Sequence, residues 1–201
     1  MYLIIRSLIL IFFVLLFLSC FKLFKMKKQK IFAFIFCLVL CSVIVISPFE
    51  NLFYSFSSPE KLFNYISTDE IVDVAYGDES CMIYYETSNN VYSFTFSKKQ
   101  EGKYKILNNF SYKKVYSMLD TYGSLDVYNV SGTNDFYVTA VINPMSNIEV
   151  YGADNLKIDT EIKRVKNTDF IFFSLTDLTD NHYFLIDSKK VKLKVNQGTV
   201  L

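Results

Sequence analysis

The sequence has one histidine, His182, no tryptophan, three prolines and six glycines in 201 residues. A single imidazole excludes a His-rich metal centre. No two glycines stand closer than nine positions, so neither the dinucleotide fingerprint G-x-G-x-x-G nor a P-loop can be written anywhere. The same spacing excludes the G-x-S-x-G nucleophile elbow. Of the four cysteines, only Cys81 follows residue 49, so residues 50–201 contain no internal disulfide and must fold on an apolar core. Their length suffices, since chains of about 150 residues bury roughly 70% of their unfolded surface.

Acidic residues are missing from residues 1–49, which hold Arg6, Lys22, Lys25, Lys27, Lys28 and Lys30. The other 15 of the 21 basic residues and all 20 acidic ones lie in 50–201, a net charge of −5. That charge opposes binding to a phosphate backbone, so no nucleic-acid partner is expected. With 51% hydrophobic and 20% charged residues the chain is neither a disordered polar nor a collagen-like one.

Residues 2–21 are interrupted by one charge, Arg6, and residues 31–49 by none. As helices rising about 1.5 Å per residue, each would be roughly 28–30 Å long, the thickness of a bilayer's hydrocarbon core. The sequence therefore predicts a membrane anchor over 1–49, with spans at 2–21 and 31–49 and a cytoplasmic Lys-rich loop at 22–30. The lipid bilayer is thus an expected partner, with the rest of the chain extracytoplasmic. Arg6 is close enough to the chain start to reach the headgroups. A rival start at Met26 reads as a secretory n-region and h-region. The bulky Ile44 and Val45 before Ser47-Pro48 offer no small-x-small cleavage pattern, which favours an uncleaved signal anchor. Leu18-Ser19-Cys20 and Leu38-Val39-Leu40-Cys41 are poor lipidation signals, and Cys20, Cys37 and Cys41 read as apolar packing residues.

Beyond residue 49, Ser58 followed by Pro59 and Glu60 predicts a short helix. Strands are expected at 71–76, 81–86, 91–97 and 104–107, at hairpin spacings that suggest an antiparallel meander. Val115, Met118, Leu119 and Tyr122 recur at helical spacing, with Gly123 in C-cap position, and predict an amphipathic helix over 111–122. Phe110, Tyr112 and Tyr116 would also suit a strand. Seven further strands are expected at 125–130, 136–142, 148–151, 156–165, 170–175, 182–187 and 190–195, a count that fits an immunoglobulin-like β-sandwich. Phe170-Ile171-Phe172-Phe173, apolar on both faces, should be central. Lys190, Lys192 and Lys194, alternating with Val191, Leu193 and Val195, mark a sheet edge.

The expected fold class is therefore membrane-anchored α+β to mainly β. N-terminal transmembrane helices are followed by an antiparallel β-meander with two short helices (50–123) and an immunoglobulin-like β-sandwich (124–201). The anchor, the Ser58-Pro59-Glu60-Lys61-Leu62-Phe63 helix start and the segment Glu101-Gly102-Lys103-Tyr104-Lys105 resemble uncharacterised, β-rich envelope proteins of low-GC Gram-positive bacteria. The resemblance covers about residues 26–107 and implies this topology but no catalytic residues.

Three constellations bear on chemistry. Cys81 with His182, oriented by Asp177 or Asp180, has the residue types of a thiol nucleophile and base, but nothing in the spacing joins them. Asp177, Asp180 and His182 offer oxygen and imidazole donors for a divalent cation, but a hairpin turn in which Asp and Asn bond their own backbone is the preferred reading. Asp73, Asp78 and Glu79 read the same way. No catalytic residue, metal ligand or cofactor is therefore assigned. The 15 tyrosines and 20 phenylalanines leave room for a carbohydrate-stacking surface. The function expected is that of a non-enzymatic, membrane-anchored extracytoplasmic binding protein that contacts another envelope protein or a cell-wall polymer. The alternatives are an accessory subunit of a membrane sensor or transporter acting through its transmembrane helices, and an envelope hydrolase.

Overall fold

The structure, a computed structural model, describes residues 2–21, 27–108, 110–120, 123–143, 146–152, 154–165, 169–179, 181–187 and 189–192. Two helices, α1 (Tyr2–Phe21) and α2 (Lys27–Ile46), lead into a 3-10 turn (Phe49–Leu52) and a short helix α3 (Pro59–Ile66). Thirteen strands follow among the described residues. They are β1 (Glu70–Tyr76), β2 (Ser80–Glu86), β3 (Tyr92–Gln100), β4 (Lys103–Ile106), β5 (Tyr112–Asp120), β6 (Gly123–Val130) and β7 (Asp135–Ile142), then β8 (Ile148–Tyr151), β9 (Lys157–Ile158), β10 (Lys163–Arg164), β11 (Phe170–Thr176), β12 (Tyr183–Ile186) and β13 (Lys189–Lys192).

The strands form a first sheet β1-β2-β3-β4, a central sheet β10-β11-β7-β6-β5 and a third sheet β13-β12-β8-β9, with antiparallel pairing throughout. Strand alternation sends successive side chains to opposite faces, and here it builds a stack of four layers. Val74, Cys81 and Ile83 on one face of the first sheet pack on Leu62 and Phe63 of α3. Met82, Tyr84 and Phe96 on the other face meet Val130, Tyr137 and Phe172 of the central sheet. Val127, Val138, Ile171 and Phe173 then face Ile148, Val150, Phe184 and Ile186 of the third. The central sheet is buried on both faces, which is why β11 is apolar on both of its own. Local signals explain the joints. Ser58 caps α3 by accepting the N–H of Lys61 at 3.3 Å, with Pro59 in the first turn. Glu101 and Gly102, at φ 51° and 73°, make the two-residue turn between β3 and β4 that paired strands favour.

Among the described residues no helix is long and apolar enough to cross a membrane. The transmembrane helices expected at 2–21 and 31–49, and the signal anchor they were to form, are corrected accordingly. In α2 the first turn is taken by Lys27, Lys28 and Lys30 and the helix stops at Ile46, before Ser47-Pro48. The uncharged stretch 31–46 is then roughly 24 Å long, against about 30 Å of hydrocarbon. In α1, Arg6 is held by Glu50, which leaves 7–21, roughly 22 Å. The two helices run antiparallel, with Phe17 near Phe34 (6.4 Å between ring centroids) and Lys30 Nζ 5.3 Å from the Phe21 ring. Leu8, Phe12, Phe32 and Phe36 stay more than half exposed.

Two further expectations change. Residues 112–120 are a strand, not part of a helix. β5 pairs with β6 along its length, and a bulge between Lys114 and Tyr116 lets Val115, Tyr116 and Met118 all reach the core between the central and third sheets. Strand pairing outweighs the helical spacing and leaves Leu119 exposed. Gly123 begins β6 at φ 135°, where a Cβ would lie 2.0 Å from the Val141 carbonyl oxygen, so it serves a close strand approach and not a helix cap. The strand expected over 156–165 is broken into β9 and β10, which join different sheets. Lys190 and Lys192 do lie on an edge strand, while Leu193, Lys194 and Val195 fall outside the described residues.

Candidate functional site

A groove of about 430 Å³ opens at one end of the interface between the first and central sheets. The first sheet supplies Glu70, Ile71, Val72, Asp73, Glu86 and Tyr92, and the other wall consists of Arg164, Val165 and Phe172. Its volume falls in the range of small-ligand sites. Glu70 pairs directly with Glu86, and Glu86 with Tyr92, so these three form one row across β1, β2 and β3 on the face turned toward the central sheet.

A β-bulge completes the site. Regular alternation would put Glu70 and Asp73 on opposite faces, because they are three residues apart. The register of β1 shifts between Ile71 and Asp73, leaving Val72 as an extra residue. Asp73 therefore pairs with Tyr84 and shares the groove face with Glu70 and Glu86. Lys163 on β10 reaches Asp73 at 2.8 Å, and Arg164 Nη2 donates to the Ser146 carbonyl at 2.6 Å. Glu70 and Glu86 have no side-chain hydrogen bond or ion pair among the described residues. Like charges directly opposite in a sheet repel, so this part of the groove is poised for a cation. Both carboxylates also line a second hollow of about 320 Å³ with Thr68, Asp69, Thr87, Ser88 and Asn90.

Behind the acids stands a column of rings. Tyr84 lies between Tyr92 (5.7 Å) and Phe170 (4.5 Å), nearly parallel to both, and 5.1 Å from Phe172. Burial, then the neighbouring Tyr92 and Glu86, push the Tyr84 phenol up to about 12. Tyr92 is the outermost ring, 39% exposed, and offers an aromatic edge beside the two glutamates.

The residues weighed for catalysis or metal binding lie elsewhere. Cys81 faces α3, and its thiol is 3.0 Å from the Ser97 hydroxyl. Burial pushes this thiol up to about 12, so it stays protonated and is a poor nucleophile. His182 precedes β12 in the third sheet, with the central sheet intervening. Its Nδ1 accepts the Thr179 N–H at 3.0 Å, which closes a turn. Asp177, at φ 55°, donates its N–H to the Asn134 carbonyl, and Asp180 lies outside the described residues. Asp78 and Glu79 give their backbone N–H groups to the buried carboxylate of Asp135 at 2.9 Å each. Among the described residues no three His, Cys, Asp or Glu side chains are grouped to hold a metal.

Sequence reasoning noticed Asp73 but missed Glu70, Glu86 and Tyr92. The available signal was an acid inside the apolar run Ile71-Val72-Asp73-Val74, which a regular strand would have turned toward α3. No protein-family model, curated protein or solved structure matches the chain.

Proposed function

We propose that this protein is a non-enzymatic binding protein of the cell envelope that works by surface contact, and that the groove between the first and central sheets takes a cationic, ring-bearing segment of a wall polymer. The observation that carries this reading is the row Glu70–Glu86–Tyr92, in which two carboxylates without a partner cation among the described residues stand beside an exposed aromatic ring. An amino-sugar unit meets both demands. Its ammonium relieves the repulsion between the glutamates, and the apolar face of its ring lies on Tyr92.

The test is titration of the full-length chain with glucosamine oligomers, using N-acetylated oligomers as the uncharged comparison. The charged oligomers should bind more tightly, and Glu70→Gln with Glu86→Gln should abolish the difference. Equal affinity for both oligomers, or binding unchanged in the double variant, removes the groove from consideration. A preference for a lysine-rich peptide over the oligomers would instead indicate an envelope protein as partner.

A further inference from the structure

The outermost face of the stack, the exposed side of the third sheet, has a different chemistry from the groove. Lys192 pairs with Tyr183, Tyr183 with Tyr151 and Tyr151 with Lys157, so one row crosses all four strands in the order Lys–Tyr–Tyr–Lys. The two tyrosine rings lie 5.0 Å apart and 2° from parallel. Lys190 Nζ sits 3.5 Å from the centre of the Tyr183 ring. Glu149 on this face pairs with Lys157 at 2.6 Å and accepts the Tyr151 hydroxyl at 2.9 Å, and Asp159, two residues on, adds a second negative charge near Lys157. Lys157 is thus countered by acids, while Lys190 and Lys192 have no ion pair among the described residues, so positive charge gathers at the β13 edge of this face within a region whose net charge is −5.

We infer that this face is a docking surface for a linear anionic glycan, with a sugar ring over the Tyr151–Tyr183 pair and an anionic group beside it at Lys190 and Lys192. Charge complementarity and spacing carry the inference. One strand-to-strand step, about 5 Å, separates Lys192 from Tyr183, so a sugar ring and the anionic group it carries can be met together. Lysines on the β13 edge alone would be ordinary protection against edge pairing. That protection requires neither two stacked tyrosines across the middle nor an ammonium drawn over one of the rings. Lys190, drawn over one ring, turns its ammonium toward an incoming anion without leaving the aromatic face. This surface is on a different sheet from the groove and does not depend on it.

The test measures binding of the full-length chain to dextran sulfate, uncharged dextran, inorganic polyphosphate and duplex DNA at two salt concentrations. Dextran sulfate should bind, weakening as salt rises, and uncharged dextran should not. Lys190→Gln with Lys192→Gln should weaken dextran sulfate at least tenfold. Tyr151→Leu with Tyr183→Leu should weaken it several-fold yet leave polyphosphate unchanged, since polyphosphate has no ring to stack. Melting curves matching the parent chain would show that these surface variants fold. The inference is overturned if the lysine variant binds dextran sulfate as the parent does, if the tyrosine variant loses both polyanions equally, or if DNA is preferred to the glycan.

Discussion

Asp135, wholly buried at the start of β7, accepts the hydroxyl of Ser80 at 2.6 Å across the interface between the first and central sheets. The same carboxylate takes the N–H groups of Asp78 and Glu79, and Ser80 in turn lies 2.8 Å from the Tyr137 hydroxyl. One carboxylate thus fixes the whole β1–β2 turn to the central sheet. Asp135→Asn puts an amide where only acceptors fit, and should cost about 2–4 kcal/mol. Gly77→Ala places a Cβ 2.5 Å from the Asp135 carboxyl carbon and should cost about 1–3 kcal/mol. Urea unfolding of both single variants and the double should show the two losses to be less than additive, because each disturbs the same contact.

Arg6 and Glu50 form the second clamp, with the carboxylate buried and the guanidinium 13% exposed. Arg6 Nε and Nη2 reach the Glu50 oxygens at 2.6 and 2.8 Å, Nη2 also donates to the Ser47 carbonyl, and the guanidinium lies 5.4 Å from the centre of the Phe49 ring. Glu50→Gln removes the counter-charge of a part-buried guanidinium and should destabilise by about 2–4 kcal/mol, whereas replacing both partners with methionine should come close to neutral. Limited proteolysis between Ser47 and Tyr54 reads the outcome. Cleavage should accelerate in the single variant and return toward the parent rate in the double.

Stability should fall in alkali. Burial raises the Cys81 thiol from 9.0 to about 12 and the Tyr84 phenol from 10.0 to about 12, and it drives the Tyr137 phenol upward as well. A group whose proton is held more tightly in the folded chain favours folding below its unfolded value and loses that contribution as pH rises toward the folded value. For Cys81 the window is pH 9 to about 12, and for Tyr84 it is pH 10 to about 12. Urea midpoints should therefore drop from pH 8 to pH 10.5. Cys81→Ala should flatten the part of the fall that begins near pH 9 and leave the later, phenolic part in place.

Relieving the facing carboxylates should separate stability from binding. Glu70→Gln removes a like-charge pair across β1 and β2 and should stabilise the chain by about 0.2–1 kcal/mol. The same variant should bind glucosamine oligomers more weakly. Thermal melts and titrations on one preparation show whether the two effects run in opposite directions.

Much of the β architecture was legible because its signals are local. Ser58-Pro59-Glu60 marks the start of α3, Glu101-Gly102 the β3–β4 turn, and the doubly apolar Phe170–Phe173 run a strand inside a covered sheet. The departures come from interactions between distant residues. Val115, Met118 and Leu119 have helical spacing, but pairing with β6 and one bulge makes them a strand. The apolar lengths of α1 and α2 depend on where Arg6 finds Glu50 and where Pro48 stops the second helix. The groove was illegible for a similar reason. Glu70, Glu86 and Tyr92 are far apart in sequence and meet only through register, and no periodicity reveals that register.

The shifted pairing in β1 has one more consequence. Val72 is surplus to the ladder, so the chain at this point has a spare residue. In most strands losing one residue turns every side chain beyond it upside down. Here an in-frame deletion of Val72 would only straighten the strand, and Glu70 and Asp73 would keep the same outlook.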